Sequence, residues 1–314
     1  MDLMELLAQA PTNWGRFGEA DEVGGLNFLT PQEILRGIAS VKQGKVFTLG
    51  LPMGNPQGDP VWPGRSGAVR LNTQDKASYL AERLTPLQGG LEYADDYITM
   101  YLQGSTQIDA LGHTWYNDQL WNGYDAKETI DGLSKASVFP ISQRGIVGRA
   151  VLLDIARYKG VDALASGEEV TLHDLLNCAQ HQNTTIEPHD IVLIRTGWFS
   201  VFFKQGPEVF YRDFMEPGLT YRPELVNWFH ETEIPALGTD TIANERTVHP
   251  DTGIVLPLHA ALMRNLGVVF NEILWLEDLA EDAVQDGQYT FLYVGAPIKV
   301  AKATGSPVNP VVIK

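Results

Sequence analysis

The stretch DIVLIRTGWFSVFF (residues 190–203) opens with an unbroken aliphatic run, Ile191 to Ile194, and that run decides the fold class. A short apolar segment without alternation is the pattern of a central strand covered on both faces. Downstream, RPELVNWFHETEIPALGTD (222–240) reads as a helix followed by another strand. The strand–helix–strand rhythm predicts an α/β domain. Working outward, GRAVLLDIARYKG (148–160) predicts a buried strand and TLHDLLNCAQHQ (171–182) a helix. LPLHAALMRNLGVVFNEILWLEDL (256–279) predicts a short helix, a Gly-terminated turn and a buried strand, and residues 288–313 predict two more strands. On the N-terminal side, Thr30-Pro31 marks a helix start, KVFTLGLPM (45–53) is strand-like, and 54 to about 90 is Gly/Pro/Asp-rich loop. DDYITMYLQGSTQID (95–109) alternates as a single strand. The expectation is one α/β domain over 91–314, with a loop-rich region, 1–90, packed on it.

The chain has 314 residues, 44% of them hydrophobic and 20% charged, an ordinary balance for a globular protein. Its formal charge of −16 argues against nucleic acid and against anionic membrane as partners, since both need a basic surface. No window reaches the length of a membrane span, and the N-terminus shows no secretory signal, so the expected location is cytoplasmic. A single cysteine, Cys178, excludes intrachain disulfides and thiolate-rich metal sites, and fits core packing.

Dinucleotide and P-loop glycine patterns, GxSxG, HExxH and kinase signatures are all absent. Three clusters remain. In QGSTQIDALGH (103–113), Asp109 and His113 form either a hydrogen-bonded structural pair or a metal-binding or acid–base pair. In LPLHAALMRNLGVVFNE (256–272), His259 sits among apolar residues, as a core histidine or a ligand. Glu272 there is either a solvent-facing strand end or a buried carboxylate needing a cation or partner. In ALGTDTIANE (236–245), a strand ends at Asp240, followed by Thr241 and Glu245; a crevice-lining role and a helix N-cap are both open. Arg65 and Arg70 either meet substrate or face water. Trp115, Tyr116 and Trp121 either wall a pocket or pack ordinarily.

Taken together, these segments resemble the cyclase family of metal-dependent hydrolases, which includes kynurenine formamidases and isatin hydrolases. The resemblance runs from NWGRFGEADEVGGLNFLTPQEI (13–34), through DIVLIRTGW and ALGTDTI, to GSPVNPVVI (305–313). It implies a single α/β domain with a mixed, partly barrel-like sheet flanked by helices. The family's H-x-G-T-H-x-D-x-P-x-H hallmark falls on 103–113, where Asp109, His113 and Thr106 match, while Gln103 and Gln107 stand in place of two histidines. This marks a divergent long-chain subgroup. The later family histidine and glutamate match His259 and Glu272. By resemblance, one metal position has lost its imidazoles and the other keeps Asp109, His259 and Glu272. His113 then serves proton transfer, with Gln103 and Gln107 binding substrate or water. The implied cofactor is one divalent ion, Mn²⁺ or Zn²⁺ ahead of Mg²⁺, with a metal-free scaffold as the alternative. The implied activity is hydrolysis of a small cyclic amide, lactone or N-formyl amide. Metal-assisted cyclisation or dehydration, and small-molecule binding without turnover, are the alternatives. The family resemblance also implies a homodimer or homotetramer.

Overall fold

A computed structural model describes all 314 residues. Nine strands form one mixed sheet: β1 (Val46–Thr48), β2 (Gln107–Asp109), β3 (Ile146–Asp154), β4 (Ile191–Arg195), β5 (Ala236–Thr239), β6 (Val269–Glu272), β7 (Thr290–Gly295), β8 (Gly305–Pro307) and β9 (Val311–Ile313). Their spatial order is β1-β9-β7-β3-β4-β5-β6-β2-β8. The four central strands β3, β4, β5 and β6 are parallel, and every pairing outside them is antiparallel. The parallel core follows from the aliphatic runs: Ile191–Arg195 and Ala236–Thr239 are buried at every position, as strands covered on both faces must be.

Helices α1 (Pro31–Ala39), α2 (Leu172–His181), α3 (Trp198–Gln205), α4 (Pro223–Glu231) and α5 (Glu277–Asp286) flank the sheet. Thr171 starts α2 through a capping box with Asp174, and Cys178 on that helix is core, as expected. The sheet curls into a partial barrel. Just beyond β1, at one edge, Leu49 donates to the Pro310 carbonyl and accepts from the Trp275 amide, both at 2.8 Å. Leu51 then donates to Thr106 Oγ1 at 2.9 Å, tying that edge to the chain entering β2.

Several local expectations need correction. Residues 95–109 are not one strand: Asp95–Thr99 pairs with Val69–Gln74 in a separate antiparallel hairpin, and only Gln107–Asp109 joins the main sheet. Between them the chain turns at Gly104, and Thr106 Oγ1 donates to the Ile273 carbonyl. Side-chain partners in this polar tract replace the ladder that alternation alone would suggest. The stretch expected as loop to residue 90 therefore contains a strand and a short helix, Lys76–Leu80. Its first part, 52–68, is ordered around Asp59, whose carboxylate accepts the amides of Gly54, Asn55 and Ala68. The C-terminal segment forms three short strands rather than two. No helix is long and apolar enough to cross a membrane.

Candidate metal centre

Residues i and i+2 of a strand share a face, so Gln107 and Asp109 project from β2 to the same side. The antiparallel register sets Glu272 of β6 opposite Gln107, and Gly305 of β8 opposite Asp109. His259 enters from a buried π-helical turn, His259–Arg264. Gly267, at φ 73°, reverses that turn into β6, and a Cβ there would lie 2.7 Å from the Trp121 ring. Asp109, His259 and Glu272 each bring a ligand-type atom within 4.8 Å of the others, and all three are buried. The solvent-facing reading of Glu272 is thereby overturned: it is 3% exposed, because β2 covers the β6 edge.

The donors do not satisfy one another. Both Asp109 oxygens, Glu272 Oε1 and Gln107 Oε1 are buried without a hydrogen-bond donor. The one other buried carboxylate or amide oxygen in that condition is Asp190 Oδ1, which has the Arg36 guanidinium at 2.9 Å. Acceptor oxygens facing each other with no hydrogen between them call for a cation or for protons. Burial, then the Asp109 charge, pushes the Glu272 carboxyl up to about 8. Burial disfavours the His259 imidazolium, but the Glu245 and Glu272 carboxylates outweigh it and carry its pKa up to about 10. Both shifts express crowded negative charge. Glu216, buried nearby and accepting the Ile242 amide, is likewise raised to about 8 by burial, helped by Glu272.

Surrounding groups fix the ligand atoms. Glu245 accepts from His259 Nδ1 at 2.7 Å and from the Leu258 and His259 amides, which leaves Nε2 facing Glu272 Oε1 at 3.5 Å. A carboxylate holding the far nitrogen of a ligating histidine is a recurrent orienting device. Gln107 Nε2 donates to Glu272 Oε2 at 2.7 Å, and Gln103 Nε2 donates to Thr304 Oγ1 at 2.8 Å. Gly305 leaves the space between them open: a Cβ there would stand 2.7 Å from Gln103 Nε2 and 3.1 Å from Asp109 Oδ1. His113 is half-buried. Desolvation, with His259 and Arg65 adding to it against Asp109, holds its imidazole below the usual value, so the neutral base is favoured.

Sequence reasoning underrated two residues. Glu245 was visible only as an acid near a strand end; nothing local showed that it reaches His259. Arg65 is half-buried on the Asp59-ordered loop, donates to the Gln103 carbonyl at 3.0 Å, and lies close enough to act electrostatically on His113 and Glu272. Arg70, in contrast, pairs with Asp96 on the surface. Asp240 takes the capping alternative, but for a neighbouring segment: it accepts the Thr196 and Gly197 amides at the start of α3. The aromatic wall does not form. Trp121 is fully buried in the core, Tyr116 lies under Arg264, and Trp115 points outward.

Residues 47–246 match the sequence profile of the family described as Cyclase. The chain belongs to the cyclase family. A crystal structure described as a novel cyclase shares 35% identity, covers 97% of this chain and 100% of its own, and superposes with a TM-score of 0.88. Isatin hydrolase A from Ralstonia solanacearum shares 19% identity over 90% of this chain and 97% of its own, TM-score 0.62. A potential metal-dependent hydrolase with cyclase activity shares 18% over 85% and 98%, TM-score 0.51. At these lower identities the likeness is one of fold. No curated protein sequence matches. The profile match covers Gln103, Gln107, Asp109, His113 and Glu245 of this cyclase-family chain, whereas His259 and Glu272 lie beyond its end. Glu245→Gln should loosen the hold on His259 while leaving the three converging side chains themselves unaltered. Its expected effect is a loss of divalent-metal affinity of about 10–100-fold by calorimetric titration, with little change in far-UV circular dichroism.

Proposed function

We propose that the chain is a metal-dependent hydrolase of a small cyclic amide, lactone or N-formyl amide, with one divalent ion held by Asp109, His259 and Glu272. The observation that carries this reading is the set of four buried acceptor oxygens without donors, concentrated where the three ligand-type side chains converge. Two carboxylates and one imidazole suit a borderline or harder ion, Mn²⁺ or Zn²⁺ ahead of Mg²⁺. Such an ion supplies Lewis-acid polarisation of a carbonyl and a more acidic water.

The protein's own groups do the rest. His113, kept neutral, takes the proton of the attacking water and returns it to the departing nitrogen or oxygen. Gln107 locks the Glu272 carboxylate through its amide N–H, and its free Oε1 offers an acceptor to a donor in the site. The Gln103 amide, anchored on Thr304, and the Arg65 guanidinium flank the space beside Asp109; Arg65 there favours an oxyanion or a carboxylate product. Ring closure of a hydroxy- or amino-acid is the reverse of the same chemistry and would use the same groups. The 35%-identical neighbour described as a cyclase favours keeping that direction open.

Elemental analysis of protein purified without chelator should find about one ion per chain. A panel of cyclic amides, lactones and N-formyl aromatic amines should reveal turnover that chelator suppresses and one divalent ion restores. Below about 0.2 ion per chain, with no rebinding on titration, the metal-dependent reading is lost. Turnover that persists in saturating chelator and is lost in His113→Asn would instead assign the chemistry to metal-free acid–base catalysis by His113.

A further inference from the structure

Arg65 is a half-buried arginine whose hydrogen-bonding capacity is largely unused. A guanidinium has five N–H groups, and here Nη1 alone is engaged, donating to the Gln103 carbonyl at 3.0 Å. The other buried or half-buried arginines, Arg36, Arg149, Arg195, Arg222, Arg246 and Arg264, each make at least two hydrogen bonds. Arg36, Arg149, Arg195 and Arg222 pair with carboxylates. Arg246 and Arg264 are held by carbonyl oxygens. Arg65 has neither a carboxylate nor a second carbonyl, in a chain with 39 acidic residues against 23 basic ones. A half-buried charge left this way lacks the partners that such groups normally have.

Its placement is built into the fold. Asp59 closes the 52–68 loop by accepting the Gly54, Asn55 and Ala68 amides, and a Cβ on Gly67 would stand 2.9 Å from that carboxylate. The Tyr211 hydroxyl donates to the Val61 carbonyl and accepts the Val61 amide, both at 2.8 Å. Trp62 meets Phe214 edge-on at 5.1 Å, and the Arg65 amide donates to the Trp62 carbonyl. A long loop ordered this thoroughly is commonly a functional one. What it presents to the centre is the Arg65 charge, which acts on both His113 and Glu272. The guanidinium nevertheless forms no ion pair with Asp109 or Glu272, so a gap separates it from the converging carboxylates.

We propose that Arg65 determines specificity by binding a carboxylate that the substrate itself carries, a few bonds from the scissile carbonyl. This rests on the hydrolase reading for the scissile group and narrows the substrate to an acidic cyclic amide, lactone or N-formyl amide. A planar carboxylate takes two parallel N–H groups of the fork and leaves others for charge forming at the carbonyl. A carbonyl beside Asp109 and Glu272 lies on the near side of the gap, and a group further along the molecule spans it. The charges agree. A divalent ion balances Asp109 and Glu272, and Glu245 is engaged with the His259 ring and two amides, which leaves Arg65 facing the substrate. A neutral substrate would cover the guanidinium without pairing it, and sites built on such a bond reject analogues that lack the group.

Calorimetric titration of the full chain in Mn²⁺ tests this with 2-acetamidobenzoate and its neutral counterpart acetanilide. The acid should bind about 10-fold tighter or more, the effect of one charged hydrogen-bonded pair. Arg65→Gln should weaken 2-acetamidobenzoate about 10–100-fold and leave acetanilide within about two-fold, with Arg65→Lys in between because it keeps the charge and loses the fork. Metal content should match the parent in both variants. A preference for the acid that survives Arg65→Gln overturns the proposal, because the carboxylate then sits elsewhere. Equal weakening of both probes also overturns it, as the mark of a merely structural arginine. If the variants fail to fold, phenylglyoxal labelling of the unaltered chain decides. Modification of Arg65, read by peptide mass spectrometry, should slow with 2-acetamidobenzoate and not with acetanilide; equal rates with the two probes refute the assignment. These measurements need no turnover, so a missing hydrolase activity and a missing carboxylate preference are separate failures.

Discussion

Asp109→Asn should abolish divalent-metal binding and turnover together, while leaving the apo protein as stable as the parent or more so. Both Asp109 oxygens are buried without donors and face Glu272, so the side chain contributes repulsion, not cohesion, to the apo fold. Asn is nearly isosteric and removes the negative charge that helps to raise the Glu272 carboxyl. In the parent, an ion present at 100 times its dissociation constant adds about 2.7 kcal/mol, a rise in Tm of about 5 °C for a chain of this size. Thermal scans with and without Mn²⁺ or Zn²⁺ should show that rise in the parent and none in the variant. A variant that melts well below the apo parent, or still shifts with metal, contradicts the assignment of Asp109 as a ligand. Such stability held in reserve against function is common at active sites.

His113→Asn should separate chemistry from metal. His113 is close enough to Asp109 and His259 to feel their charges but is not one of the converging ligand residues. Metal content and the metal-induced Tm rise should therefore stay at parental values, while kcat falls about 10²–10⁴-fold, the usual contribution of a positioned proton-transfer group. A loss of the ion on this substitution would make His113 a ligand, and an undiminished kcat would remove it from proton transfer.

How much could be read beforehand depended on where the information lay. The aliphatic runs at 191–194 and 236–237, and the helix carrying Thr171 and Cys178, revealed the α/β core because period and composition are local properties. The hallmark-like segment placed Asp109, His113, Gln103 and Gln107 in one tract, His259 and Glu272 stood out in a second apolar tract, and the resemblance joined the two. What stayed hidden depended on pairing. That Asp95–Thr99 leaves the main sheet for a hairpin follows from its partner at 69–74, in a stretch whose glycines and prolines signal loop. That Glu245 orients His259 depends on a turn bringing together residues 14 positions apart. The aromatic cluster at 115–121 failed for a similar reason: Gly267, far along the chain, opens the slot that takes Trp121 into the core.

The Gln107–Glu272 hydrogen bond joins residues 165 positions apart, and the third ligand-type residue comes from a separate turn. Bringing such distant segments together has a loop-closure cost that no single ligand repays. An unfolded chain thus offers an ion only scattered single donors, and the centre exists once β2 has docked on β6. Ion binding here would act as a latch closed after folding: it would slow unfolding and leave the refolding rate unchanged.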